Sequence, residues 1–251
     1  MSLIDDYAWW ASFPVDFYGL ALFRLPPDVL LERLHAVDED ETDGFGGLVG
    51  HFHTYLGATP DRYLSDFMPA GVVEAAGTDG SWTLLFELGG LMSASDFSIA
   101  SESSMAVAHY LNGAGDPGFT WYLDGKIRTA FQSFGGPRYG AAPTGLDEPL
   151  ARLGLLDPSN SFDVPWGPGQ LALTEELSGI RITEELLRGS RYRTALIPMD
   201  DEARRRGPFR RVAPAESEIR DWARGVGIKI NDHGAIPASI VEQYEAVHQQ
   251  V

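Results

Sequence analysis

The chain has 251 residues, 44% hydrophobic and 11% aromatic, which suits a folded protein with a sizeable core and excludes a disordered one. It contains no cysteine, so disulfides, thiolate metal sites and cysteine nucleophiles are excluded, and a reducing cytoplasm is the expected compartment. The formal charge of −17 argues against the whole chain as a polyanion binder, yet residues 1–202 hold 11 Lys/Arg against 30 Asp/Glu (−19) while residues 203–251 hold 8 against 6 (+2).

An acidic body with a mildly basic tail implies two parts with different partners. The opening residues MSLIDDYAWW carry no basic lead into an apolar run, so no secretory signal is expected. No apolar stretch approaches ~18 residues, so no membrane span is expected either.

In chain order, DFYGLALFRL (residues 16–25) suits a buried strand, and PPDVLLERLHA places Val29, Leu30, Arg33 and Leu34 at helical spacing behind two prolines. VDEDETDGFGG reads as an acidic loop ended by glycines. Two strands are expected in GVVEAAGTDGSWTLLFELGG around an Asp79-Gly80 turn. MAVAHYLN and FTWYLDGKIRTAFQS add three more, the last two joined at Asp124-Gly125. So many hairpin signals predict an antiparallel sheet.

Beyond Gly135, LDEPLARLGLLD, GQLALTEELSG and TEELLRGS read as short helices, and RYRTALIP as a returning strand. MDDEARRRGPFRRVAP is charged, proline-bearing and without apolar periodicity, as a linker would be. Two helices follow. PAESEIRDWARGVG carries an apolar face of Ile219, Trp222, Ala223 and Val226 and ends at Gly225 and Gly227. IPASIVEQYEAVHQQV repeats the pattern through Ile240, Val241, Tyr244 and Val247, and Trp222 and Tyr244 are expected to anchor the pair. The fold expected is α+β: an acidic domain over residues 1–200 with a mainly antiparallel sheet and flanking helices, a charged linker over 201–213, and a two-helix domain over 214–251.

Constellations that carry chemistry are sparse. Aligned on Gly44, the acidic stretch offers Glu39, Glu41 and Asp43 to a calcium loop, but Gly50 stands where the bidentate glutamate belongs. His51-Phe52-His53 on a strand would point two imidazoles to one side, yet no third ligand follows at a motif spacing, and His109 is distant. Gly-x-Ser-x-Gly, the P-loop and Gly-x-Gly-x-x-Gly are absent, and Ser93–Ser104 reads as a polar loop. The tryptophans of the acidic domain read as core, with a pocket lining as the alternative for a few. Glu87 reads as a strand residue facing water, with a half-buried functional acid as the alternative. No catalytic residue, metal ligand or cofactor is expected.

The tail IRDWARGVGIKINDHGAIPASIVEQYEAV runs Ile-Arg-x-Trp-Ala-Arg, a short turn, then Gly-x-Ile-Pro-Ala opening the second helix. It resembles the C-terminal DNA-binding domain of the actinobacterial Lsr-type, H-NS-like nucleoid silencers, over roughly residues 215–248. The resemblance implies a DNA-binding, nucleoid-associated regulator of transcription. In that family the loop between the helices holds Arg-Gly-Arg, and the arginines enter the narrow minor groove of A/T-rich DNA, where negative potential concentrates.

Here the tripeptide is His233-Gly234-Ala235. The glycine stays and both arginines are gone, a loss of ~1–3 kcal/mol for each good contact. Arg220, Arg224, Lys229, Arg210 and Arg211 remain for phosphate contacts, which position without specifying sequence. The expectation is weak, salt-sensitive and poorly selective binding to DNA. The same two-helix outline occurs in peripheral-subunit-binding domains, which bind protein, so the alternative is a protein-interaction or immunity/phage-conflict module without DNA contact. In it the acidic surface around residues 38–43 binds a basic partner and the tail only docks. The first ~200 residues, through YAWWASFPVDFYGLALFRLPPDVLLERL, GSWTLLFELGG, FTWYLDGKI and LARLGLLD, resemble an actinobacterial domain family of unknown function. A protein partner, a small ligand or self-association is expected for them.

Overall fold

In a computed structural model of the protein, the described residues are 2–58, 66–77, 80–94, 97–156, 166–206, 216–229, 236–237, 239–240 and 243–244. The chain divides into two compact units, Met1–Phe209 and Arg210–Val251.

The first unit is built on one sheet of eight strands. They are β1 (Tyr18–Phe23), β2 (Val37–Asp43), β3 (Phe67–Ala75), β4 (Trp82–Glu87), β5 (Met105–Leu111), β6 (Pro117–Leu123), β7 (Lys126–Phe131) and β8 (Arg191–Pro198). Their spatial order is β2-β8-β3-β4-β1-β5-β6-β7, and every neighbouring pair is antiparallel. The helices of this unit are α1 (Pro27–Arg33), α2 (Gly44–Ala58), α3 (Asp147–Arg152), α4 (Trp166–Ser178), α5 (Glu184–Gly189) and α6 (Asp201–Arg206), with 3-10 turns at Asp5–Ser12 and Leu91–Ala94. The α+β class and the antiparallel sheet are as the sequence predicts.

Local chemistry sets the hairpins. Asp124 and Gly125 both take positive φ, 51° and 74°, so β6 and β7 are joined by the two-residue primed turn that matches strand twist. β3 and β4 pair from Ala75↔Trp82 back to Ala70↔Glu87. The connection between them is longer than a two-residue turn, and Asp79 of the expected turn lies outside the described residues.

Alternation then builds two cores, one on each side of the sheet. Leu20, Leu22, Trp82, Leu84 and Phe86 pack against Tyr7, Trp10 and Phe13 of the first 3-10 turn and against Leu48, Leu171 and Leu187 of α2, α4 and α5. On the other side Ala21, Phe23, Val72 and Leu85 meet Leu30 and Leu31 of α1, Met92 and Phe97. All six residues of β4 are buried, because both of its faces are covered.

Two expectations are corrected. The acidic stretch Val37–Asp43 is a strand rather than a loop, paired with β8, and the glycines after it open α2. Its charges find partners across the ladder: Arg191 meets Glu41 at 2.5 Å, and Arg193 bridges Glu39 at 2.6 Å and Asp28 of α1. The stretch expected as a linker begins instead with α6, whose Ala203 is buried with Tyr55, Phe67 and Leu196. Residues 207–215 lie outside the described residues.

The two ends of the sheet differ. Beyond β7 the chain returns, with Ala130 and Tyr139 exchanging backbone bonds and Ala141 and Ala142 donating to Ile127 and Arg128. At the other end β2 is the last strand in the sheet order, and Glu39, Asp40, Glu41 and Asp43 on it are exposed.

Candidate nucleic-acid interface

The second unit contains α7 (Glu216–Gly225) and, after Pro237, helical residues at 239–240 and 243–244. Ile219, Ala223 and Ile240 are its buried core, with Trp222, Ile228, Ile236 and Tyr244 packed around them. Trp222 and Tyr244 meet edge to face, ring centroids 5.4 Å apart, so the two aromatic anchors expected from spacing are in contact.

The end of α7 follows a Schellman arrangement. Gly227 holds φ at 80°, its N–H donates to the Arg224 carbonyl, and the Ile228 N–H reaches the Ala223 carbonyl at 2.8 Å. This closure corrects one assignment. Val226 is 56% exposed rather than part of the apolar face, because the chain leaves the helix there and Ile228 takes its place.

The cations fare differently from one another. Lys229 and Arg224 are exposed, and Arg224 donates to Asp221 one turn back at 2.7 Å. Arg220 is only 7% exposed, where the sequence suggested a free phosphate contact. His233, Gly234, Ala235, Arg210 and Arg211 lie outside the described residues. The cations described on the surface of this unit are therefore Arg224, bonded to Asp221, and Lys229.

Among the described residues of the first unit, the constellations read from the sequence do not converge on one place. His51 and His53 sit on helix α2, not on a strand, so positions two apart point to different sides. His51 is half-buried and His53 exposed, and burial lowers the His51 pKa despite the nearby Asp40 charge. Among the described residues, no group of three or more His, Asp or Glu side chains is placed to hold a metal ion. Ser101 donates to Ser98 and Ser104 to the Arg24 carbonyl, so these hydroxyls serve turns. Trp10 and Trp82 are core, whereas Trp9, Trp121 and Trp166 are half-buried.

Glu87 reverses its expectation. It is fully buried, because β4 has no wet face, and its carboxylate accepts from the N–H groups of Gly89 at 2.6 Å and Met92 at 3.0 Å. Burial raises its pKa to about 7, while these donors and those of Leu91 and Gly90 pull it down. Gly19, its cross-strand neighbour, leaves the room: a Cβ there would lie 2.6 Å from Glu87 Oε1.

His109 on β5 is also fully buried, and neither ring nitrogen has a hydrogen-bond partner. Burial lowers its pKa to about 3, with Gln170 acting in the opposite direction. The Gln170 side chain accepts from Tyr18 and donates one N–H to the Gly118 carbonyl. Alternation signals neither burial: the turn that follows Glu87, Gly89–Met92, closes over its carboxylate, and His109 lies beside Tyr18, Phe119 and Gln170 from other parts of the chain.

A family of unknown function (DUF6461) matches residues 1–202, and the Lsr2 DNA-binding domain matches residues 211–246. Neither description names an enzyme. No curated protein and no solved structure matches the chain.

Proposed function

We propose that this chain, which belongs to the DUF6461 family of unknown function, is a non-enzymatic, nucleoid-associated regulator with a division of labour between its units. Residues 214–251 touch DNA, the stretch that follows α6 joins them to the first unit, and the acidic unit over 1–200 holds a protein partner or a small ligand. Contact with DNA is weak, salt-sensitive and poorly selective for A/T-rich sequence. The observation that carries this reading is the Lsr2 DNA-binding domain match at 211–246 with His233-Gly234-Ala235 between its helices, in place of two groove-inserting arginines. Phosphate contact falls to Arg224, Lys229, Arg210 and Arg211, with His233 and Gly234 at the groove and Arg220 as a buried member of the helix.

With three to four phosphates engaged, the slope of log affinity against log salt is about −3, so binding weakens about 60-fold between 50 and 200 mM salt. Retention on an A/T-rich duplex measures this, and a chain ending at Pro214 should not be retained. Equal retention by the shortened chain removes the assignment. Restoring both arginines, His233→Arg with Ala235→Arg, should tighten A/T-rich duplex binding by about tenfold or more per arginine.

A second reading, a docking module without DNA contact, is favoured by the same cations. Arg220 is buried and Arg224 is paired with Asp221, which leaves Lys229 as the exposed cation with no ion pair among the described residues of this unit. Salt-independent, duplex-independent behaviour of the full chain would select it. A protein of this kind acts in the cytoplasm, at the nucleoid when DNA is bound.

A further inference from the structure

A groove of about 540 Å³ runs along the first unit between the 3-10 turn Asp5–Ser12 and α5, with Tyr7, Trp9 and Ile182 in its lining. Two arginines line it, and both are committed within the unit. Arg181 Nε donates to both oxygens of Glu175, at 3.0 and 3.1 Å, and Nη2 donates to Asp6 at 3.1 Å. Arg188 Nε donates to Glu184 at 2.7 Å, and its guanidinium lies 4.9 Å from the Phe13 ring centroid. The Glu175 carboxylate also accepts the Tyr7 hydroxyl at 2.6 Å.

What remains on offer is negative and aromatic. Glu185 is exposed with no hydrogen bond or ion pair among the described residues, Asp6 and Glu184 each keep one oxygen outside these bonds, and Trp9 is half-buried in the groove wall. An indole beside unspent carboxylates selects a guanidinium or ammonium group over an anion or a neutral chain. The charge of −19 over residues 1–202 adds a field of the same preference.

We propose that this groove takes an arginine- or lysine-bearing segment of a partner protein, its cation laid on Trp9 and facing Glu185. This rests on the reading of the acidic unit as a partner-binding module and supplies the partner's chemistry. The test is fluorescence anisotropy of the full chain with a labelled nine-residue peptide carrying three arginines, against the same peptide with citrulline in their place. The arginine peptide should bind about tenfold more tightly, as charge-assisted contacts outweigh neutral ones. Trp9→Ala should weaken it about threefold, the size of an exposed cation–π contact.

Glu185→Arg, at an exposed position, should abolish the preference for arginine over citrulline without moving the unfolding midpoint. Equal binding of the two peptides overturns the cationic partner. Unchanged binding by both variants overturns the groove and leaves the partner-binding reading standing. So does a loss confined to Glu41→Gln with Asp43→Asn, which would move the site to β2. Duplex binding, carried by the second unit, should be the same in every variant.

Discussion

Replacing His109 with Phe should tilt the pH profile of stability by the slope of one proton. His109 has a folded pKa of about 3 against 6.5 unfolded, so its contribution is present above pH 6.5 and is lost as pH falls from there towards 3. Glu87 has a folded pKa of about 7 against 4.5 unfolded, so its contribution is present below pH 4.5 and is lost as pH rises through 7. Between pH 4.5 and 6.5 the unfolded chain holds a proton on His109 and none on Glu87, while the folded chain holds the reverse. Folding then exchanges no net proton at this pair.

Without His109, folding takes up the Glu87 proton alone. Stability should rise by ~1.4 kcal/mol per unit as pH falls, or about 3 kcal/mol across the window. Glu87→Gln should give the opposite slope of similar size. The Phe ring has company for packing, since His109 stacks on Phe119 and meets Tyr18 edge to face. Urea unfolding at pH 4.5, 5.5 and 6.5 reads the slopes through tryptophan fluorescence, with five of the six tryptophans in the first unit. Using slopes removes any constant cost of the substitution. Parallel profiles for His109→Phe and the parent chain would refute the opposed titration of the two buried groups.

Three further outcomes follow from packing. Gly19→Ala should lower stability by about 2 kcal/mol in urea unfolding, since its Cβ would meet Met92 Cβ at 2.4 Å and Glu87 Oε1 at 2.6 Å. Gly50→Ala should raise stability by up to about 1 kcal/mol, because the position is an exposed helical one where a Cβ meets nothing within 4 Å. Tyr244→Ala should cost about 3 kcal/mol or more in a unit this small, melting the α7 pair while the cooperative transition of the first unit stays in place, as amide NMR would display.

Much of the fold is legible because its signals are local. The Asp124-Gly125 turn, the apolar β1 and the prolines before α1 each act within a few residues. The acidic stretch Val37–Asp43 is illegible for the opposite reason. Acidic residues disfavour strands in isolation, and the arginines that make this strand tolerable, Arg191 and Arg193, lie about 150 residues away on β8. His51 and His53 suggest a strand by alternation because the glycines around them, poor helix formers, mask α2.

Glu87 has the same lesson at a buried site: alternation identifies two faces of a strand but not whether a second layer covers the other one. In the tail, the aromatic pair is readable from helical spacing, since both partners lie on short amphipathic segments. The exposure of Val226 is not, because it depends on where the Schellman closure turns the chain away. Nor is the groove beside α5, whose walls come from opposite ends of the first unit.

The unequal ends of the sheet give the molecule an asymmetric defence against sticking to its own kind. One rim is sealed by returning chain, so no stray strand can zip onto it. The other rim relies on mutual repulsion between carboxylates of approaching copies. That shield is only as durable as its ionisation. Acid or a polycation that neutralises it turns the β2 rim into the place where clumping starts, while the β7 rim stays closed under the same conditions.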